Sequence, residues 1–565
     1  MTPSAPTTRT REKPARPGRS FTEEIADIDK SILRLLLKRH QALQRLAAPG
    51  GRPDAKTERV LRAAWEKNAT RVSRDPKVTR QLFSLLQEVH FLPKPNPDDE
   101  PRQAFGLAPM RQPVTLSMPG PKACRRVRLY LALAAGSGQP LRMDDTLLNE
   151  PLTECAKAFN QAGSRLSWQE NGSVIAKPGL PLPLPDKVIF VGDDSLNFHL
   201  LLGHYLGRPS RAKFTGDSKL KLSDFSALRH FAPLLGARLT NVIPGTAGLP
   251  VRLEASGMLP QEASVPADLP ADAVTGLLLA APCWPQPVGW DLASHPQADA
   301  ILEEALDILT ACGVEVERAG RRVRILPGVT LPAAPAVGMD LTLAGSLLAL
   351  PACTGGTARL TGIWPDCAPG RELIRLLESA GLRVERTDDA ICARLPENAA
   401  EQTSLPGFPA LPIRFAPLAL ALACLPALRG REARLPELPR GLAEAERDDF
   451  LLAAGITPAG TRLAPPEAPA QRNATPWTAP SPAWAMAYAL AAFARPRLTL
   501  ANPGIMTALY PRFWTLYNAL PEPPAAQAVP GEERNEERND TARRKRVRLS
   551  TLSSGIEGAA GEAER

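Results

Sequence analysis

The chain has 565 residues and a net charge of +9, with 44% hydrophobic and 22% charged residues. This is the composition of a globular protein that buries real cores, and it excludes a chain that is disordered throughout. The positive charge suits anionic partners such as phosphorylated metabolites or nucleic acid. Much of the clustered charge lies in two end segments, residues 1–20 and 525–565, which we expect to be disordered.

Local composition disfavours several classes of protein. The first 20 residues are polar, and the longest apolar run, which begins at Phe415, is too short to span a bilayer. The eight cysteines form no CxxC pair and have no histidine at zinc-ligand spacing, so we predict reduced thiols, no metal and no cofactor. The basic run "ARRKRVRL" is accompanied by no nucleic-acid-binding motif. We therefore expect a cytoplasmic protein with neither a membrane nor a nucleic-acid partner.

The first predicted element is a long amphipathic helix that starts at Phe21 and ends before the turn "PGGRP". Its apolar stripe consists of Ile25, Ile28, Ile32, Leu35, Leu43 and Leu46. Two shorter helices are predicted to begin at Asp54 and Asp75. We therefore predict a three-helix unit over residues 21–95. Because one long and two short helices cannot bury a large core alone, we expect this unit to form a homodimer.

Arg39 occupies the same heptad position as Ile25, Ile32 and Leu46. A charge there is costly unless an anion binds it, or unless the stripe drifts by one residue and the side chain reaches water. The segment "IADIDKSILRLLLKR" resembles the first helix of the all-helical chorismate mutases. The resemblance implies that Arg39 clamps a substrate carboxylate and that Glu58 lies near the substrate hydroxyl.

The helical segment also departs from the pattern of that family. Four positions that the family fills with arginine, lysine or glutamine carry other residues here: Thr22, Gly50, Thr57 and Lys94. We therefore expect a degenerate mutase domain that serves dimerisation or regulation, without strong mutase activity.

From about residue 105 one theme recurs, a helix that ends in glycine and is followed by two short strands. In "ALDILTACGVEVERAGRRVRILPG" the alternation after the glycine is typical of a half-buried hairpin. The terminating glycines are Gly163, Gly236, Gly313, Gly381 and Gly455, separated by 73, 77, 68 and 74 residues. A period of this length predicts βαβ-type subdomains grouped into two lobes with a ligand cleft between them.

Four segments of this region resemble 5-enolpyruvylshikimate-3-phosphate (EPSP) synthase, or 3-phosphoshikimate 1-carboxyvinyltransferase, and its enolpyruvyl transferase relatives. They are "SMPGPKACRRVRLYLALAAG", "FTGDSKLKLSDFSALRHFAPLLGARL", "DLTLAGSLLALPACTGGTARLTGI" and "AEAERDDFLLAAGI". The resemblance covers roughly residues 113–520, within a predicted domain of residues 105–520. It implies an α+β protein, in which the all-helical unit is followed by two lobes of repeated βαβαββ-type subdomains. The implied substrates are shikimate 3-phosphate and phosphoenolpyruvate.

The resemblance also implies a role for each matching residue. Asp340, which the residues alone predict as a helix N-cap, would take the proton from the shikimate hydroxyl. Glu444 would protonate the methylene carbon of phosphoenolpyruvate, and Lys122 would bridge both anionic substrates. The other substrate-binding residues would be Arg128, Lys219, Lys221 and Arg447. From the residues alone, the two lysines fit a solvated strand or loop equally well.

Two further segments depart from the transferase pattern. The family's phosphoenolpyruvate loop "GNAGT..R" appears as "GDDSLNFH", which places Asp193 and Asp194 where they would repel an anion. The "SSQ" triplet that holds the shikimate phosphate appears as "PAD", residues 270–272. Two functions remain open: an enolpyruvyl transferase of the shikimate pathway in aromatic amino acid biosynthesis, or a catalytically silent homologue that regulates or scaffolds pathway enzymes.

Overall fold

The structure is a computed structural model, and it describes most of the chain between residues 104 and 521 together with parts of the first hundred residues. The described residues are 21–46, 55–69, 79, 82–83, 86, 104–169, 171–244, 246–396, 405–439, 441–464 and 476–521. The two predicted tails lie outside this set. The chain divides into two compact units, a small one within residues 1–97, 218–224 and 241–249, and a large one that contains the other segments.

Helices and strands are numbered here in chain order. The helices are α1 Phe21–Leu46, α2 Ala55–Ala69, α3 Cys124–Ser137, α4 Glu150–Gln161, α5 Ser195–Leu206, α6 Ser218–Leu222, α7 Ser226–Phe231, α8 Ala271–Ala280, α9 Ala298–Ala311, α10 Leu341–Leu348, α11 Leu350–Thr354, α12 Ala368–Ser379, α13 Ala416–Leu428, α14 Glu444–Ala453, α15 Pro482–Ala494 and α16 Phe513–Ala519. The strands are β1 Phe105–Leu107, β2 Val114–Pro119, β3 Leu141–Met143, β4 Leu166–Trp168, β5 Val174–Ala176, β6 Val188–Phe190, β7 Pro209–Thr215, β8 Ala237–Asn241, β9 Val251–Ser256, β10 Glu262–Ser264, β11 Val288–Asp291, β12 Val316–Ala319, β13 Arg322–Ile325, β14 Gly356–Thr361, β15 Arg383–Arg386, β16 Ala390–Arg394, β17 Ala433–Arg434, β18 Thr457–Ala459, β19 Arg462–Ala464 and β20 Leu498–Leu500.

The small unit contains α1, α2 and α6. The long first helix is present as predicted, but its apolar stripe is largely uncovered, since Ile25 is 59% and Leu35 is 63% exposed. The third predicted helix is described only at Thr79, Leu82, Phe83 and Leu86, each of which is helical. The three-helix unit therefore stays a prediction.

The large unit combines sheets of two to four strands with buried helices. In its first half the strand orders are β3-β5-β4, β6-β7-β9-β8 and β10-β11-β13-β12, and in its second half they are β15-β16-β14-β2, β17-β19-β18 and β1-β20. The five glycines that the repeat places after a helix all have positive φ, between 63° and 103°. Each is followed by two short strands, as the sequence pattern predicts.

The order of strands in one sheet shows how the chain passes between these halves. Strand β2 pairs in parallel with β14, with Val114 opposite Gly356, although the whole segment from α3 to β13 lies between them in sequence. The first half is therefore inserted into the second. The chain crosses between the two halves twice, at residues 120–123 and 338–340.

The helices at the centre of each half are apolar on every side. Helices α5, α8, α13 and α15 are buried along most of their length, as expected for helices with no polar face. Helices α5 and α8 approach each other closely where Gly203 faces Gly276. Glycine is needed at position 203, because a Cβ there would lie only 2.4 Å from the carbonyl oxygen of Gly276. Within the described part of the chain, no helix has the length and apolar character needed to cross a membrane.

Candidate functional site

The two chain crossings bring Lys122 and Asp340 together. The crossing segments pair in antiparallel fashion, with Lys122 opposite Met339. The amide of Asp340 donates to the carbonyl oxygen of Pro121 at 2.6 Å, and the amide of Ala123 donates to that of Gly338 at 3.0 Å. Two residues that lie far apart in sequence therefore occupy adjacent positions, directly before α3 and α10.

Asp340 is the N-cap of α10, as predicted. Its Oδ1 accepts hydrogen bonds from the backbone amides of Thr342 and Leu343, both at 3.0 Å. Burial raises the pKa of the Asp340 carboxyl, while the hydrogen bond from Leu343, the positive charge of Arg414 and the hydrogen bond from Thr342 oppose that shift. A partly desolvated carboxylate of this kind can serve as a base, and the cap fixes its orientation.

The ammonium group of Lys122 is held on the other side of the crossing. Its Nζ donates to the backbone carbonyl oxygen of Asp144. The side chain of Asp144 is itself fixed, because it accepts from Ser173 Oγ at 2.6 Å and from Arg142 Nε at 3.0 Å. A substrate anion that binds Lys122 would share this ammonium with, or take it from, the carbonyl group.

The next arginine along the chain, Arg125, is paired with carboxylates of the protein itself. Arg125 Nε lies 2.9 and 2.8 Å from the two carboxylate oxygens of Glu304, and its Nη1 donates to Asp272 Oδ1 at 2.7 Å. Asp272 is the last residue of the "PAD" triplet and lies in the first turn of α8. An internal ion cluster thus occupies the place where the resemblance implies a substrate phosphate.

Arg128, predicted to bind substrate, is buried and faces the protein interior. Its Nη1 donates to Asp194 Oδ1 at 2.7 Å and to Asn197 Oδ1 at 3.0 Å. Burial would raise the pKa of the Asp194 carboxyl, but the charge and hydrogen bond of Arg128 hold that pKa below its usual range. The prediction that Asp194 repels an anion therefore needs correction, because the Arg128 guanidinium neutralises the Asp194 carboxylate.

The loop before α5 is instead filled by a carboxylate that sequence reasoning missed. A Cβ on Gly192 would lie 1.8 Å from Glu154 Oε2, and the amide of Asp193 donates to the same oxygen at 3.4 Å. Burial raises the pKa of Glu154 to about 7, and the charges of Glu150, Asp217 and Asp193 add to the shift. Glu154 lies some 40 residues before the loop, so no local pattern pointed to it.

Glu444 and Arg447 lie in the first turns of α14. Arg447 Nε donates to the carboxylate of its neighbour Asp448 at 2.8 Å, and Glu444 is exposed. Among the described residues, no hydrogen bond or ion pair joins either of them to Asp340 or Lys122. Their predicted roles therefore rest on the sequence resemblance.

The remaining predicted residues belong to the small unit. Lys219 and Lys221 lie on the five-residue helix α6 and not on the strand or loop that their surroundings suggested. Arg39 Nη1 donates to the carbonyl oxygen of Leu86 at 2.8 Å, and its guanidinium lies 5.8 Å from the ring centroid of Phe83. The side chain of Glu58 lies outside the described set.

Arg414 is a second residue that the sequence did not single out. It lies on a short 3-10 helix, Ile413–Phe415, that leads into α13, and its charge acts on Asp340. The available signal was positional, because Arg414 immediately precedes a long apolar run, as Asp340 does. In the described ranges, no group of three or more histidine, cysteine or acidic side chains could hold a metal ion.

Comparisons with known proteins agree with this architecture. No protein-family model matches the chain. A 3-phosphoshikimate 1-carboxyvinyltransferase of Bordetella petrii is 28% identical over 444 residues, which cover 72% of this chain and 94% of that protein. An EPSP synthase structure from Acinetobacter baumannii has a TM-score of 0.57 at 19% identity and covers 74% of this chain and 98% of its own. The enolpyruvyl transferase NikO from Streptomyces tendae has a TM-score of 0.52 at 16% identity, covering 72% and 94%.

The chain therefore has the EPSP synthase-like fold, a mixture of helices and sheets, and this part of the predicted fold class is confirmed. It is homologous to 3-phosphoshikimate 1-carboxyvinyltransferases at 23–28% identity.

Proposed function

We propose that residues 105–520 transfer the enolpyruvyl group of phosphoenolpyruvate to a hydroxyl of shikimate 3-phosphate, giving 5-enolpyruvylshikimate 3-phosphate and phosphate. Asp340 removes the hydroxyl proton as that oxygen attacks C2 of phosphoenolpyruvate, and Glu444 delivers a proton to the methylene carbon. The tetrahedral adduct then loses a proton from its new methyl group and expels phosphate, which restores the double bond. Lys122 and Arg447 hold the anionic groups, and no cofactor takes part.

The observation that carries this proposal is the pairing of the Lys122 and Asp340 segments at the double crossing. A carboxyl whose pKa is raised by burial suits proton abstraction, and a lysine on the paired crossing segment suits a phosphorylated substrate. The homology extends over 72% of the chain and 94% of the relative, which supports the same reaction class.

The test is phosphate release from shikimate 3-phosphate and phosphoenolpyruvate by the full chain. We expect Asp340→Asn to lower kcat about 100-fold, because asparagine can still cap α10 but cannot accept the proton. Asp299→Asn is the matched control, since Asp299 is an exposed acid in the first turn of another helix, α9. Equal phosphate release by the parent and Asp340→Asn would contradict the role of Asp340.

A catalytically silent homologue is the second candidate, and one observation favours it. Helix α3, which begins two residues after Lys122, carries three arginines that are all paired with carboxylates of the chain itself: Arg125, Arg126 and Arg128. A site whose cations are already neutralised offers less to two highly anionic substrates. Absence of phosphate release from the parent chain would favour this candidate, which acts as a regulator or scaffold for pathway enzymes.

We also propose that residues 21–95 form a degenerate chorismate mutase-like module that dimerises through α1. The sequence pattern around Arg39 supports the mutase-like module. The apolar stripe of α1 supports dimerisation, because a second copy would remove from water four side chains that are each about half exposed or more: Ile25, Ile28, Ile32 and Leu35.

Light scattering coupled to gel filtration tests the dimer. We expect the parent chain to elute at twice its monomer mass, and the double variant Ile28→Glu/Ile32→Glu to elute as a monomer, because two carboxylates on the stripe cannot be buried unpaired. Lys30→Glu on the same helix is the control, since Lys30 is exposed and pairs with Asp27 within its own helix. A parent chain at monomer mass would refute the proposal.

A further inference from the structure

The loop between β3 and α4 contacts the other half of the large unit. This loop, residues 144–149, belongs to the first half, yet its Leu147 packs against the hydrophobic core of the second half. Asn149 is 1% exposed, and its Nδ2 donates to the backbone carbonyl oxygen of Leu509 at 3.2 Å. Leu509 follows β20 in the second half. The two halves are therefore joined here by packing and a hydrogen bond, as well as by the two chain crossings.

A further polar contact lies beside this one. Glu150, the first residue of α4, accepts at Oε2 from Thr507 Oγ1 at 3.4 Å. Both residues are exposed, so this bond adds little stability by itself. It places the start of α4 against a short 3-10 helix of the second half, Pro503–Ala508.

The same loop is fastened to the first chain crossing. Lys122 Nζ donates to the backbone carbonyl oxygen of Asp144, at the start of the loop. At the end of the loop, the thiol of Cys124 donates to Asn149 Oδ1 at 3.1 Å. The same oxygen accepts from the backbone amide of Leu152 at 3.2 Å, which fixes the orientation of the amide group. Asn149 thus bonds to the crossing through its oxygen and to the second half through its nitrogen.

The loop between these contacts is held in one shape. Thr146 donates twice to the carbonyl oxygen of Gly172, from its backbone amide at 2.8 Å and from Oγ1 at 2.6 Å. Asp145 has a φ of 54°, in the left-handed region that residues other than glycine adopt at a cost. A loop that is fixed in this way has little slack, so a displacement at one end is passed on to the other.

We propose that the loop is a clamp between the two halves, and that Asn149 is a positioning residue for Lys122. While the loop is docked on Leu509, the Lys122 ammonium is held on the carbonyl oxygen of Asp144. When the loop leaves the second half, that ammonium is released. None of these contacts involves a substrate, so the clamp acts in the free chain and does not depend on the proposed function.

The first test measures how fast acetic anhydride acylates Lys122 in the full chain, by mass spectrometry of its peptides. The variant is Asn149→Ser, because serine can still cap α4 but is too short to reach Leu509. We expect Lys122 to react about fivefold faster, because an ammonium that loses its hydrogen bond gives up its proton more readily. Lys177, an exposed lysine of the first half, is the internal reference and keeps its rate.

Hydrogen exchange of the same chains tests the docking itself. We expect Asn149→Ser to speed exchange about tenfold at the amides of Leu509 and Tyr510, both of which donate to the carbonyl oxygen of Met506. The amides of β15 and β16 belong to a sheet of the second half that contains none of the clamp contacts, and we expect them to be unchanged. An equal rise there would mean general unfolding and would count against the clamp.

Asn160→Ser is the matched control, since Asn160 also lies on α4 but bonds to Leu166 within the first half. Thr507→Val is the second variant, for the case in which Asn149→Ser does not fold. It removes the contact with Glu150 from the side of the second half, at an exposed position, and we expect about twofold faster acylation of Lys122.

Three results would overturn the inference. Unchanged exchange at Leu509 in Asn149→Ser overturns the clamp. Faster exchange at Leu509 with an unchanged Lys122 rate overturns the positioning role of Asn149. If only Thr507→Val folds, an unchanged Lys122 rate in that variant overturns the coupling between the second half and Lys122.

Discussion

Replacing Arg128 by methionine is expected to lower the free energy of unfolding by about 3 kcal/mol, the lower end for a buried pair, because the change leaves Asp194, whose side chain is 27% exposed, without its partner. The Arg128 side chain is only 8% exposed, and its guanidinium lies 2.7 Å from the Asp194 carboxylate. Methionine fills much of the volume, so the expected loss reports the stranded charge more than a cavity. Urea unfolding followed by circular dichroism measures it.

The double variant Arg128→Met/Asp194→Asn tests the cause. Asparagine removes the unpaired charge and can still accept the hydrogen bond from the amide of Leu196 that caps α5, so we expect it to restore most of the lost stability. Asp307→Asn is the control on the neighbouring pair: its partner Arg126 also lies on α3, but Asp307 is exposed, and we expect a change of less than about 1 kcal/mol. A double variant as unstable as Arg128→Met would show that packing, and not charge, explains the loss.

The parts of the fold that could be predicted from sequence are those set by local chemistry. The five glycines could be predicted because a left-handed residue after a helix strongly favours glycine. The cap of α10 could be predicted because an aspartate directly precedes an apolar helical segment. The spacing of these units predicted repeated βαβ-type subdomains, and the segments that resemble the transferases implied the EPSP synthase-like fold.

The parts of the site that could not be predicted depend on contacts between distant segments. The neutralisation of Arg125 by Asp272 and Glu304 joins three helices, α3, α8 and α9, and no single window of sequence contains it. Glu154 reaches the loop at Gly192 in the same way, from α4. Comparing motifs shows which residues of this chain replace those of the family. It does not show which side chain from a distant segment then fills the space beside the motif, as Glu154 does at Gly192.

Two buried histidines give the chain a stability that depends strongly on pH. Burial lowers the pKa of both His199 and His204 to about 4, from the ordinary value of 6.5. The groups that face His199 are Asp272, Asp194 and the backbone of Ser195, and those that face His204 are the backbone of Ala132 and the charge of Arg208. Both histidines are therefore neutral in the folded chain at pH values where the unfolded chain protonates them.

The sign of the effect follows from proton binding. Well above pH 6.5 neither state binds protons at these histidines, and the full stability is present. As the pH falls from 6.5 towards 4, the unfolded chain takes up protons that the folded chain does not, so the free energy of unfolding decreases. For both histidines together we expect a loss of about 4 kcal/mol between pH 7 and pH 5.

Urea unfolding at a series of pH values between 7 and 5 measures this slope. We expect His204→Gln to reduce the loss of stability between pH 7 and pH 5 by about 2 kcal/mol, because one of the two buried histidines is gone. Glu154, whose pKa is raised to about 7, changes stability in the opposite direction and is present in both chains. His230→Gln is the matched control, since His230 is exposed on α7. The readout is the change of stability with pH and not its absolute value, so a destabilised variant still reports it. An unchanged slope in His204→Gln would mean that acid sensitivity arises elsewhere, in the carboxylates that pair with the arginines of α3.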